Sequence, residues 1–245
     1  MRINIISSLL IILLTLGLVT GCTGVKVVGS GNLVTKTLEY SNFIEVKVEN
    51  GIQVELIQSC TFNVEITADD NVMEYIEVSK SGNTLRIKPK SNTAFRSATM
   101  IVRLTMPNLN KLELSGGSGA EINGFYPSDG LSVRLSGGSQ ISNLITSGNV
   151  TVANANFDLS GGSHVRLTGS ADGGISVDCS GGSHIDLEGF SVNNADIKLS
   201  GGSHATINVV GTLNVDISGG SEVIYIGDPT MGDIDVAWDS DLVKQ

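Results

Sequence analysis

The sequence predicts an all-β fold, a single-stranded parallel β-helix (solenoid) with about 20 residues per coil. Three observations carry that reading. Ser-Gly-Gly-Ser occurs six times, beginning at Ser115, Ser136, Ser160, Ser180, Ser200 and Ser218, at spacings of 21, 24, 20, 20 and 18 residues. An apolar residue precedes each copy (Leu114, Leu135, Leu159, Cys179, Leu199, Ile217), and a charged one precedes that (Glu113, Arg134, Asp158, Asp178, Lys198, Asp216). The alternation resumes after each copy, as in His164-Val165-Arg166-Leu167, so every repeat reads strand, glycine turn, strand.

At the N-terminus, Met1 and Arg2 precede an apolar run from Ile3 to Val19, followed by Thr20-Gly21-Cys22. This resembles a bacterial lipoprotein signal peptide over residues 1–21, and the resemblance implies cleavage before Cys22 and palmitate-type acylation of that cysteine. The alternatives are an ordinary signal peptide or a membrane anchor, for which the run is short. Removing residues 1–21 deletes one arginine and no acid, which takes the formal charge from -10 to -11. Residues 22–31 are small and polar and read as a lipidated tether.

From 32 to 245 the chain reads as one β-helix domain. Within it, 32–114 is expected to form irregular coils, 115–224 the regular repeats and 225–245 a C-terminal cap carrying the only tryptophan, Trp238. Short runs of Val, Ile, Leu and Thr from Asn32 to Leu114, separated by turns such as Glu49-Asn50-Gly51, predict strands. In the regular repeats the glycine pairs Gly116 and Gly117, Gly137 and Gly138, Gly161 and Gly162, Gly181 and Gly182, Gly201 and Gly202, and Gly219 and Gly220 are structural turns. Glycine there supplies positive φ and lets successive corners stack closely. Their flanking serines are expected to form a hydroxyl ladder between turns. Gly124, Gly169, Gly189 and Gly211 mark a second corner.

The inward positions stack into a narrow apolar core in which each buried Leu or Val contributes roughly 1.5–3 kcal/mol. Cys179 takes an inward place equivalent to Leu159 and Leu199, whereas Cys60 lies in a polar turn, so a disulfide between them is not expected.

Acidic character excludes nucleic acid and anionic lipid as charge-driven partners, since both demand a basic face. The three histidines, His164, His184 and His204, share the position after the corner and should stack outward. Such a column is a weak candidate for Zn²⁺, Ni²⁺ or Cu²⁺, because the equivalent positions elsewhere are Gly119, Gln140 and Glu222; the balance favours a structural ladder. Asp158 and Asp178 should form an outward column flanked by Arg134 and Lys198, with Asp186 beside Arg166. No nucleophile elbow and no repeated-aspartate calcium motif is present, and aromatic residues make up only 4% of the chain. No catalytic residue and no cofactor are assigned.

Val28-Gly29-Ser30-Gly31-Asn32, Phe43-Ile44-Glu45-Val46, Gly51-Ile52-Gln53-Val54, Leu85-Arg86-Ile87-Lys88 and the run from Ser115 to Gly124 resemble the bacterial family called putative auto-transporter adhesin, head GIN domain. That resemblance implies a right-handed parallel β-helix, lipid-anchored or secreted, with adhesion suggested and catalysis not evident. The expectation is therefore a non-enzymatic lipoprotein of the bacterial cell envelope, in the outer membrane if the cell is Gram-negative, facing periplasm or exterior. It would be held to the membrane through its N-terminal lipid and would bind a glycan or surface protein through the exposed face. A pectate-lyase-like enzyme acting on polysaccharide and a metal-binding envelope protein are the alternatives.

Overall fold

A computed structural model of the chain describes residues 25–125, 130–143 and 149–245. Cys22 and the expected signal peptide, residues 1–21, lie outside the described residues.

The regular part is built from coils of two strands joined by a corner. These are β3 (Glu45–Glu49) with β4 (Gln53–Gln58), β10 (Lys111–Ser115) with β11 (Gly119–Asn123), and β12 (Leu131–Ser136) with β13 (Gln140–Ser142). Next come β14 (Val150–Leu159) with β15 (His164–Arg166), and then the long strands β16 (Gly169–Cys179), β17 (His184–Leu199) and β18 (His204–Ile217). The array ends with β19 (Glu222–Ile226), β20 (Thr230–Val236) and β21 (Asp241–Lys244). β17 and β18 each start just after one corner and run to the next, so one strand serves two walls.

Successive coils pair in parallel and in register. Leu114, Leu135, Leu159, Cys179, Leu199 and Ile217 are consecutive ladder partners, and each is at most 3% exposed. Leu112, Val133, Phe157, Val177, Ile197 and Val215 form a second buried column beside it. Because side chains alternate between the two faces of a strand, a parallel register without slip before the corner places both of these columns inside the tube.

The corners behave as local chemistry requires. In all six copies the first glycine has φ of 63–68° and the second 71–77°. A Cβ on the first glycine of a coil would meet the backbone nitrogen of the glycine below, at 3.2 Å for Gly201 and 2.9 Å for Gly219. Gly202 has open space around it, so only its φ calls for glycine. The serine ladder, however, takes another form. The last serine of each copy is buried, and its hydroxyl donates to the carbonyl of the first serine of the same turn, at 2.7 Å for Ser163 and 2.8 Å for Ser183 and Ser203. The φ values fold each turn back so tightly that this carbonyl lies closest to the hydroxyl. Neighbouring corners are joined mainly by glycine backbone, as in Gly162 N–H to Gly181 O at 3.1 Å, and the expected serine link between coils occurs where Ser221 Oγ accepts the Ser203 N–H at 3.3 Å.

The proposed second corner is not a glycine column. Gly169 pairs with Val150 and Phe190, not with Gly189. The bulges in this part of the coil differ in length from one coil to the next, and register shifts carry the glycines apart.

The N-terminal part departs most from expectation. Before β3 stand β1 (Val25–Val28) and β2 (Leu33–Leu38). After β4 come β5 (Asn63–Asp69), the helical turn α1 (Asp70–Met73), β6 (Ile76–Ser81), β7 (Thr84–Pro89), β8 (Thr93–Arg96) and β9 (Met100–Met106). The stretch 32–114 is not a run of successive irregular coils. β7 and β9 pair in parallel with the outer edges of β3 and β4, and the chain then returns to lay β10 and β11 on the inner edges. β6, β5 and β2 close this end by antiparallel pairing with β7, β9 and β5 respectively. Antiparallel strands need only short turns, here Gly82-Asn83 with Gly82 at φ 57°, and they end the parallel ladder. Part of the expected tether belongs to the fold as well, since β1 pairs with β8 through Val25-Lys26-Val27-Val28.

The stretch 225–245 also differs from a cap. β20 pairs with β18 and β21 with β19, both in parallel, so it forms one more coil with Asp239-Ser240 at its corner. Ser240 Oγ accepts the Ser221 N–H at 3.2 Å, as Ser221 Oγ accepts the Ser203 N–H at 3.3 Å one coil earlier.

Candidate functional site

Two outward surfaces flank the corners. On the wall after the corner, the first residue of each strand points outward because the preceding serine is buried and the following residue is in the core. Ladder partners along this column run Gly119, Gln140, His164, His184, His204, Glu222 and Asp241. The imidazoles stack as expected, with ring centroids 4.7 Å apart for His164 and His184 and 6.0 Å apart for His184 and His204. Partial burial, together with the two neighbouring imidazoles, holds the His184 pKa below the ordinary histidine value, while Asp186 opposes this. His204 Nε2 lies 3.9 Å from Glu222 Oε2.

The adjacent outward column contains Glu55, Glu121, Ser142, Arg166, Asp186 and Thr206. Arg166 Nε and Asp186 Oδ2 pair at 3.1 Å, and Arg103 Nε and Glu55 Oε2 at 2.8 Å. Between those pairs a shallow groove of about 480 Å³ is lined by Gln53, Glu121, Gln140, His164 and Arg166 among others. Stacked rings face one another rather than converging on a point, and among the described residues no group of three or more His, Cys, Asp or Glu is arranged to hold a metal ion.

On the wall before the corner, the expected column Arg134, Asp158, Asp178 and Lys198 is in register. Arg134 Nε and Asp158 Oδ2 are 2.8 Å apart, and Glu113 is met by Lys47 at 3.0 Å and Lys111 at 2.6 Å. Partial burial is the largest single influence on the Glu113 carboxyl and pushes its pKa up, but the hydrogen bonds and charges of the two lysines together outweigh it and hold the group below its ordinary value. Toward the C-terminal end the bases run out. A groove of about 510 Å³ there is lined by Asp196, Lys198, Asp216, Asp233 and Asp235 with their neighbours.

This gradient is a whole-chain property that motif reading missed, although counting reveals it. Residues 115–245 hold 15 Asp or Glu against four Lys or Arg, whereas 23–114 hold ten of each. Asp69 was missed too. It is 1% exposed and accepts N–H bonds from Gly31 at 2.5 Å and Thr99 at 2.7 Å, clamping the segment that enters the fold. Gly29 lies beneath it, where a Cβ would come within 2.5 Å of Ser97 O.

Cys179 is buried and Cys60 exposed, both unpaired. Burial, with a smaller push from Asp178 and Asp158, raises the Cys179 thiol to about 12. Phe157 and Phe190 are core residues and offer no exposed stacking platform. No helix among the described residues is long and apolar enough to cross a membrane.

The family described as putative auto-transporter adhesin, head GIN domain matches residues 42–229. The structure is similar to that of a putative adhesin from Bacteroides fragilis, at 20% identity and TM-score 0.75 over 89% of this chain and 97% of that one. A putative adhesin from Parabacteroides distasonis is 19% identical with TM-score 0.73, covering 90% of this chain and 97% of its own. A putative lipid binding protein from the same organism is 18% identical with TM-score 0.68, covering 90% and 99%. At these identities the likeness is one of fold. No curated protein matches the chain.

Proposed function

Because the chain belongs to the putative auto-transporter adhesin, head GIN domain family, we propose that it is a non-catalytic adhesin of the bacterial cell envelope that binds a surface glycan or protein through its exposed strand faces. The observation that carries this reading is the long polar face itself: outward columns continue from coil to coil, and their carboxylates engage neighbouring bases. Such a face is rigid, because each inner rung is held by ladder bonds on both sides, and it is shallow. It suits contact with an extended partner better than enclosure of a small substrate.

Anchoring belongs to the same proposal. Acylation at Cys22 would tie the protein to the membrane a few residues before β1, next to the antiparallel end. The acidic coils would then project outward, and repulsion from anionic lipid headgroups would favour that orientation.

Treatment of intact cells with protease, or with antibody against the repeats, tests the reading. We expect labelling without permeabilisation and release of the protein from membranes in a Cys22→Ser variant. Protection until permeabilisation would remove adhesion and leave a periplasmic binding or scaffold role. Incubation with acidic polysaccharides and Ca²⁺ addresses the pectate-lyase-like alternative, and the appearance of unsaturated ends would overturn the non-catalytic assignment.

A further inference from the structure

The two ends of the solenoid are finished differently. One is closed by β2, β5, β6 and α1, while at the other β20 and β21 each pair on one side only. The inward residues Leu213, Val215 and Ile217 are at most 2% exposed, yet their ladder partners on the last coil, Met231, Ile234 and Val236, are 43%, 40% and 36% exposed, and Trp238 at the corner is 97% exposed. The core column therefore ends in an apolar surface bordered by free backbone N–H and C=O groups, which is the template for addition of another strand.

Charge selects the occupant. The rim carries Asp233, Asp235, Asp239 and Asp241, and the nearby Lys244 is already paired with Asp228 at 2.5 Å. Asp235 also ends a column whose preceding member is Asp216. A second copy placed end to end at this surface would set these carboxylates against their equivalents, and like charges directly opposite on paired strands are destabilising. A strand carrying Lys or Arg at its outward positions would complete the column, as Arg134 completes it for Asp158.

We propose that the β20 edge is a docking site for an extended segment of another protein in which apolar and basic residues alternate, added as the next rung. Its apolar side chains cover Met231, Ile234 and Val236, and its bases meet Asp233 and Asp235. This surface is separate from the histidine-bearing face and does not depend on the role proposed for that face.

The test uses a short synthetic peptide of alternating Val and Lys with blocked ends, its Val and Glu counterpart, and the fluorescence of Trp238, the only tryptophan in the chain. We expect a saturable blue shift with the Lys peptide, weakened by added salt, and none with the Glu peptide. Asp235→Asn should reduce affinity several-fold, whereas Asp178→Asn, on the same column but in an inner coil, should not. Equal binding of both peptides, an unchanged spectrum, or equal loss in the two variants would overturn the proposal. So would sedimentation showing a dimer of the free protein in which Trp238 is already shielded.

Discussion

The two glycines of a corner should differ in what they tolerate, and Gly201 and Gly202 provide the comparison. Both have positive φ, 65° and 74°. Alanine in that region costs about 1–2 kcal/mol, and the narrower unfolded ensemble of alanine returns about 0.4–1 kcal/mol. Gly202→Ala should therefore destabilise by about 1 kcal/mol, because nothing lies within 4 Å of its Cβ. Gly201→Ala bears the same strain and also drives its Cβ to 3.2 Å from the Gly181 nitrogen. That atom belongs to hydrogen-bonded backbone, so yielding means opening the stack, which overpacking data put at roughly a further 1–3 kcal/mol.

Asparagine sharpens the contrast, since it accepts the left-handed region. Asn50, at φ 57°, occupies the place of the first glycine in the β3–β4 corner. Gly202→Asn should be nearly neutral, while Gly201→Asn should remain damaging. Urea unfolding followed by circular dichroism measures the differences, and hydrogen exchange at the Gly181 and Gly219 corners shows whether the damage spreads along the stack. Equal midpoints for the two alanine variants, or a larger loss at Gly202, would refute the assignment of space to the first glycine and of φ alone to the second.

Ser183→Ala should lower stability by about 1–2 kcal/mol, since it removes the partner of the Ser180 carbonyl inside a closed corner; denaturant titration measures it. Thiol titration at pH 8 should detect Cys60 in the native protein and Cys179 only after unfolding, because its thiol is buried with a pKa pushed up to about 12. The His184 pKa is depressed by folding, so the unfolded state binds more protons once pH falls below the ordinary value of 6.5. Its contribution is thus intact above that pH and lost as pH drops toward the folded pKa. His184→Gln should flatten the pH dependence of the urea midpoint as pH falls below 6.5.

Much of the candidate face was legible before any coordinates. The post-corner position of His164, His184 and His204 requires only a constant register, and parallel stacking of near-identical repeats enforces one. The Arg134, Asp158, Asp178 and Lys198 column was legible for the same reason. The second corner was not. Gly189 aligns with Thr168 because bulges of unequal length intervene, and the number of residues a bulge absorbs has no mark in the alternation pattern. The serine bond could not be assigned from the sequence, because the carbonyl three residues back and the backbone of the next coil both come within reach of the hydroxyl, and only the folded turn decides between them.

The sequence by itself determined the repeat, its corners and its inward columns, since period-two alternation and left-handed glycine conformation are local properties carried by each coil. Only the tertiary structure decided the order of rungs at the N-terminal end, where β3 and β4 acquire neighbours from opposite directions along the chain. It also decided that residues 225–245 extend the tube rather than close it. A strand's own residues specify which face is buried; which edge it joins depends on what other edges remain free, and that is settled by the assembled sheet.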